Sequence, residues 1–144
     1  MKTKVRLLFT KLLVVFGISL ALPVFATAAV GASNQTADAA KNWLTLIDDG
    51  KYEQSWNEAS KFFQEHVTQA QWARQAKAIR QPLGAILLRS APVVRFATSL
   101  PGVPDGKYAI MQFHSKFAHK AAALETVTMM LQDGTWQPAG YFIR

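Results

Sequence analysis

Apolar and polar positions repeat with two different periods along this chain, and the change falls near residue 85. Before it the period is helical. Ala40, Trp43, Leu44 and Ile47 stand at i, i+3, i+4 and i+7, one stripe of an amphipathic helix predicted over 37–49 and stopped by Gly50. Tyr52, Trp56, Ala59, Phe63 and Val67 follow in steps of three and four, which predicts a second helix from Tyr52 to about His66. Thr68, with Gln71 three residues on, forms a capping box that opens a third helix. Its buried stripe reads as Trp72, Ala76, Ile79 and Leu83, with Arg80 on the flank and Pro82 and Gly84 at the end.

After residue 85 the period shortens to two. Residues 85–99 read as one long strand bent at Pro92, or as two short ones, because Pro92 has no N–H and belongs at an edge or a bulge. Residues 100–106 form a turn-rich loop. Residues 107–118, 121–132 and 135–144 then read as three consecutive antiparallel strands. Asp133-Gly134 is a two-residue hairpin turn, since both residues tolerate positive φ. Helices followed by antiparallel strands predict an α+β domain: three N-terminal helices packed on a curved antiparallel sheet of about four strands.

Alternation also assigns faces. Ala109, Met111, Phe113, Ser115 and Phe117 share one side, as do Ala123, Glu125, Val127, Met129 and Leu131. These sets match when Phe113 lies opposite Val127 through a three-residue connection at 119–121. Tyr108, Ile110, Met130 and Gln132 then fall on the outer face. Glu125 is left as the one charged group on the apolar inner face. A buried carboxylate needs a partner, and Arg80 and Arg89 are the candidates. Three roles are open: an ion pair fixing helix to sheet, an anchor in a ligand pocket with Trp72, Phe113 and Met111, or a general base. Asp48 and Asp49 stand at the end of the first helix, unfavourable for its dipole, which leaves two readings, a cap or contact with another element and a solvated turn, the second preferred.

Charge changes the picture once its source is located. The 144 residues carry a formal net charge of +7, but four of the sixteen basic residues precede residue 12 and no acid precedes Asp38. A basic start, the apolar run 12–22, then Pro23 and small residues make the layout of a signal peptide, with cleavage expected after Ala28 or Ala26. The expected organisation is a signal peptide over 1–28, a flexible lead-in over 29–36 and one domain over 37–144, in the periplasm or secreted. The remaining excess of twelve basic residues over nine acidic is unclustered, which argues against nucleic acid as a partner. Without cysteine there is neither a disulfide nor a lipidated N-terminal Cys. His66, His114 and His119 lack metal-site spacing, and no cofactor loop or nucleophile motif is present. The tryptophans read as core: Trp43, Trp56 and Trp72 sit on helix stripes.

Several motifs carry a family resemblance. They are W-L-x-L-I-D-x-G-x-Y-x-x-S-W from Trp43 to Trp56, R-x-P-L-G from Arg80, L-P-G-x-P-D-G-x-Y from Leu100, Q-F-x-S-x-F from Gln112, E-T-V-T from Glu125, and D-G-x-W-x-x-x-G-Y-F-I-R from Asp133. The mature chain resembles the bacterial secreted domain-of-unknown-function family 4019, which is distantly similar to NTF2-like, cone-shaped α+β domains. That likeness implies a bent sheet wrapped around a helix. It also implies a role among binding modules, dimerising modules and isomerase-like enzymes. In such enzymes acidic or His residues inside the cone do the chemistry, and here only Glu125 stands there. The expectation is therefore an exported binding module for a small apolar or amphipathic ligand. The alternatives are a homodimerising or protein-binding module using the outer sheet face, and an isomerase or hydratase with Glu125 as base.

Overall fold

The computed structural model describes residues 29–144. The expected signal peptide and its cleavage sites lie outside the described residues. Among the described residues four helices come first: α1 (Ala29–Asp48), α2 (Tyr52–Asn57), α3 (Lys61–His66) and α4 (Gln69–Arg80). A 3-10 turn over Gln81–Leu83 leads into β1 (Ile86–Arg89), β2 (Val93–Ala97), β3 (Tyr108–Phe117), β4 (Lys120–Gln132) and β5 (Thr135–Ile143). The domain is α+β, with helices packed against one antiparallel sheet of five strands. Among the described residues, no helix is long and apolar enough to cross a membrane.

Two helix predictions are corrected. The supposed lead-in over 29–36 is the start of α1, and Thr36 and Ala37 are buried there. The predicted helix over 52–66 is two helices. Ser60 caps α3, its Oγ accepting from Phe63 N, while its own N–H donates to Pro138 O of β5 at 2.8 Å. That N–H is spent on the sheet, so α2 cannot run on through it. The capping box of Thr68 and Gln71 is present in full.

Within α4 the buried stripe is Trp72, Ala76 and Arg80, while Ile79 is 40% exposed. The expected stripe through Ile79 and Leu83 is thus rotated by one position. The steps of four carry the buried face onto Arg80, because that side chain finds carboxylates inside.

Both readings of 85–99 hold a part of the answer. β1 and β2 lie end to end along β3, interrupted at Ser90–Pro92. Ser90 N donates to His114 O at 2.8 Å, and the Ser90 hydroxyl accepts from His114 N at 3.0 Å, so a side chain carries the ladder across the break. The hairpin turn is as expected: Asp133 and Gly134 have φ of 51° and 77°, and Gln132 pairs with Thr135.

The β3–β4 faces are as expected, but the register is not. Phe113 lies opposite Glu125, and Val127 opposite Met111. The connection is a tighter turn at Ala118–His119, with an irregularity between Ser115 and Phe117. The shift is two residues, so it preserves which side chains face inward. β5 carries a bulge at Ala139, beside Pro138, which pairs with Met129. Tyr108 belongs to the outer face by parity yet is 1% exposed; its hydroxyl donates to Pro104 O in the loop before it. It is therefore not a free surface residue.

The core lies between α1–α4 and the inner sheet face. Trp43 and Trp72 stack at 5.9 Å, and Phe63 meets Trp72 edge-on at 5.1 Å. Ser55, fully buried, serves both indoles: its carbonyl accepts from Trp43 Nε1 and its hydroxyl from Trp72 Nε1. Phe96 of β2 reaches Trp136 of β5, ring centroids 5.9 Å apart, across two intervening strands. Since strands in a flat sheet stand about 4.8 Å apart, the sheet curls toward its helical side at this end.

Candidate functional site

Glu125 sits in the middle of β4 with no exposed surface. Its side chain points inward because β4 alternates, and both neighbours on that face, Ala123 and Val127, are buried apolar residues. Burial without partners would cost several kcal/mol, on the order of the desolvation penalty of an ion. Instead five donors converge on it. Oε1 accepts from Arg80 Nη1 at 3.2 Å, Arg89 Nη2 at 3.2 Å and Tyr141 Oη at 2.7 Å. Oε2 accepts from Arg89 Nε at 2.7 Å and Ser115 Oγ at 2.5 Å.

The same two arginines also hold Asp48. Arg80 Nη2 donates to Asp48 Oδ1 at 2.7 Å, and Arg89 bridges both Asp48 oxygens at 2.7 and 2.9 Å. Two carboxylates and two guanidiniums close a neutral cluster that joins α1, α4, β1 and β4. Tyr141 of β5 adds a fifth element, its hydroxyl accepting from Arg80 Nη1 at 3.3 Å. The Arg80 guanidinium lies 4.5 Å over the ring of Phe117, and its Nε is buried with no hydrogen-bond partner among the described residues.

Electrostatics follow from this geometry. Burial alone would lower the Arg89 pKa, but its hydrogen bonds to Asp48 and Glu125, with their charges, outweigh that and raise it. Burial, and after it the Glu125 carboxylate, holds the Tyr141 hydroxyl well above its ordinary value. Tyr141 is therefore a neutral donor. A carboxylate has about four lone-pair positions, and the five donors occupy them all.

Three of the six residues singled out from sequence meet here: Glu125, Arg80 and Arg89. The other three do not contact the cluster through a polar bond. Met111 and Phe113 are fully buried on β3, and Trp72 is buried among Trp43, Phe63 and Tyr141. Asp48 corrects the reading of a solvated turn; only Asp49 fits that description, paired at the surface with Lys51. The signal was the carboxylate at a helix C-terminus, where the dipole disfavours it and a cation elsewhere must compensate. Tyr141 carried no role in the sequence reading, although its place on the inner face follows from pairing with Val127.

Beside the cluster a groove of about 600 Å³ opens between α4 and the end of α1, lined by Asp48, Tyr52, Glu53, Arg74, Lys77 and Arg80 among others. Glu125, Trp72, Phe113 and Met111 do not line it. Among the described residues, no three His, Cys, Asp or Glu side chains are grouped to hold a metal ion.

Compared with known proteins, residues 39–141 match the model of a family described as a protein of unknown function, DUF4019. A search of curated proteins found no match.

Proposed function

We propose that this chain, which belongs to the DUF4019 family, is an exported binding module that presents its sheet to a protein partner. The basic, apolar and small-residue layout of residues 1–28 supports export to a bacterial periplasm. Helices on one side of a curled antiparallel sheet support the likeness to NTF2-like domains. The interior supports a scaffold role over a catalytic one, because Glu125 has no free lone pair and no access to solvent.

One observation carries the reading. Leu87, Leu88, Val93 and Phe96 are 37–65% exposed, and all four lie on β1 and β2, strands that share one side of β3 and, among the described residues, have no further strand beyond them. At the other edge, β5 is engaged by Ser60 of the α3 cap. Large apolar side chains on an open strand edge favour association over solvation.

A photo-crosslinking residue at Leu88 tests this in the native periplasm. A discrete adduct from Leu88, absent when the same residue replaces Glu58 on the helical side, is the expected result. No adduct, or equal adducts from both sites, overturns the reading. The groove at Arg74 and Lys77 favours a second reading, a small-molecule site. Native mass spectrometry of the gently purified domain separates the two, since only that site would retain a small ligand.

A further inference from the structure

We infer that the β2 edge takes an extended peptide segment of alternating acidic and apolar residues, added to the sheet as a further strand. The inference rests on the binding-module reading and names the partner's chemistry. The outer face carries one cation at this edge and a second beside β1. Arg95, opposite Ile110, and Lys116, opposite Leu88, both project there, and both are exposed. Among the described residues, neither makes an ion pair. No carboxylate shares their face: six of the nine acidic residues lie within 38–65, Glu125 points inward, and Asp105 and Asp133 lie in connections. Apolar area beside unpaired cations calls for a partner with apolar groups and negative charge.

Charge also decides against a second copy. A two-fold pairing of β2 edges centred on this five-residue strand would bring the two Arg95 side chains together on one face, and like charges across an interface are unfavourable. The edge geometry decides for an extended segment over a lipid surface. β2 offers the backbone groups of a five-residue strand on its open side, which a peptide can pair with and a membrane cannot. The break at Ser90–Pro92 limits the ladder to that strand, because Pro92 has no N–H to offer.

Register fixes the side chains. On β2, Val93, Arg95 and Ala97 face outward, while Val94 and Phe96 face inward with Met111 and Ala109. A guest strand would place an acidic side chain across from Arg95. Its two neighbours in sequence point to the other face, where Phe96, at 37% exposure, offers apolar contact.

The test is selection of a random decapeptide display library on the immobilised mature domain and on its Arg95→Glu variant. Arg95 has no ion-pair partner to lose among the described residues, and an unchanged thermal melt will show that the variant folds. Expected on the native domain is enrichment of peptides alternating acidic and apolar residues, which protect the backbone amides of β2 from hydrogen exchange. Their affinity should fall about tenfold on Arg95→Glu, the worth of one close charge pair. Enrichment without an acidic preference, or with the same preference on the variant, overturns the inference. Protection mapping away from β2 overturns it while leaving a binding module in place. Flotation with phosphatidylglycerol vesicles and no peptide enrichment would mean a membrane surface instead, and overturns both.

Discussion

Asp48 and Glu125 never touch by hydrogen bond, yet they share both of their guanidinium partners, Arg80 and Arg89. One closes the first helix and the other sits at mid-strand in β4, so the pairings bind the two layers of the domain together. Removing one member strands the rest. Glu125→Ala leaves two guanidiniums facing one carboxylate in a buried site and should cost about 3–5 kcal/mol in chemical denaturation. Asp48→Ala should cost less, because the Asp48 side chain retains some solvent contact. A loss under about 1 kcal/mol for Glu125→Ala would show that the cluster does not hold the layers together.

Arg89 should not tolerate lysine. It uses Nε, Nη1 and Nη2 to reach both carboxylates, whereas an ammonium is a single point charge without the fork. Arg89→Lys should lose about 2 kcal/mol of stability. Arg95→Lys, at an exposed position, should be neutral within about 0.5 kcal/mol. Equal melting points for the two variants would contradict the bidentate geometry.

Alkaline pH should find Tyr141. Its folded-state pKa is raised, by burial first and by Glu125 second. The stability that Tyr141 contributes is then fully present below the unfolded value, about pH 10, and is lost as pH rises above it. The slope is about 1.4 kcal/mol per pH unit for one such group. Tyr108, raised by burial and by Asp105, adds to the same trend. Denaturation midpoints between pH 9 and 11 measure the slope, which Tyr141→Phe should make shallower.

Ser55→Ala should cost about 1–3 kcal/mol although it deletes a single oxygen. The Trp72 indole N–H would lose its acceptor inside the core. Tryptophan fluorescence of the folded variant should shift, as Trp72 loses its tie to Ser55 while its stacking partner Trp43 keeps the Ser55 carbonyl. Unchanged stability would mean that water reaches Trp72.

Much of this fold was legible in the sequence because its signals are local. The Thr68 capping box, the Asp133-Gly134 turn and the alternation that turns Glu125 inward each depend on residues within a few positions of one another. The errors share a cause in the opposite direction. The helix over 52–66 breaks because the Ser60 N–H is taken by Pro138, 78 positions away in sequence. The α4 stripe rotates onto Arg80 because Asp48 and Glu125 wait there. The Phe113 register shifts by two because the Ala118–His119 turn is tighter than expected, and a two-residue slip leaves the hydrophobic pattern unchanged, so no pattern could detect it.

By itself, the sequence determined the α+β class, the inner and outer faces of β3 and β4, and the need of Glu125 for a cationic partner, with Arg80 and Arg89 as candidates. Periodicity and the cost of burying a charge dictate these wherever the chain ends up. Only the tertiary structure decided that Asp48, Ser115 and Tyr141 would complete the cluster and saturate the carboxylate. It alone decided that, among the described residues, β1 and β2 would be left as an open apolar edge, with Arg95 and Lys116 outside every ion pair. A hydrogen bond between distant residues depends on how layers meet in space, and one-dimensional pattern carries no record of that.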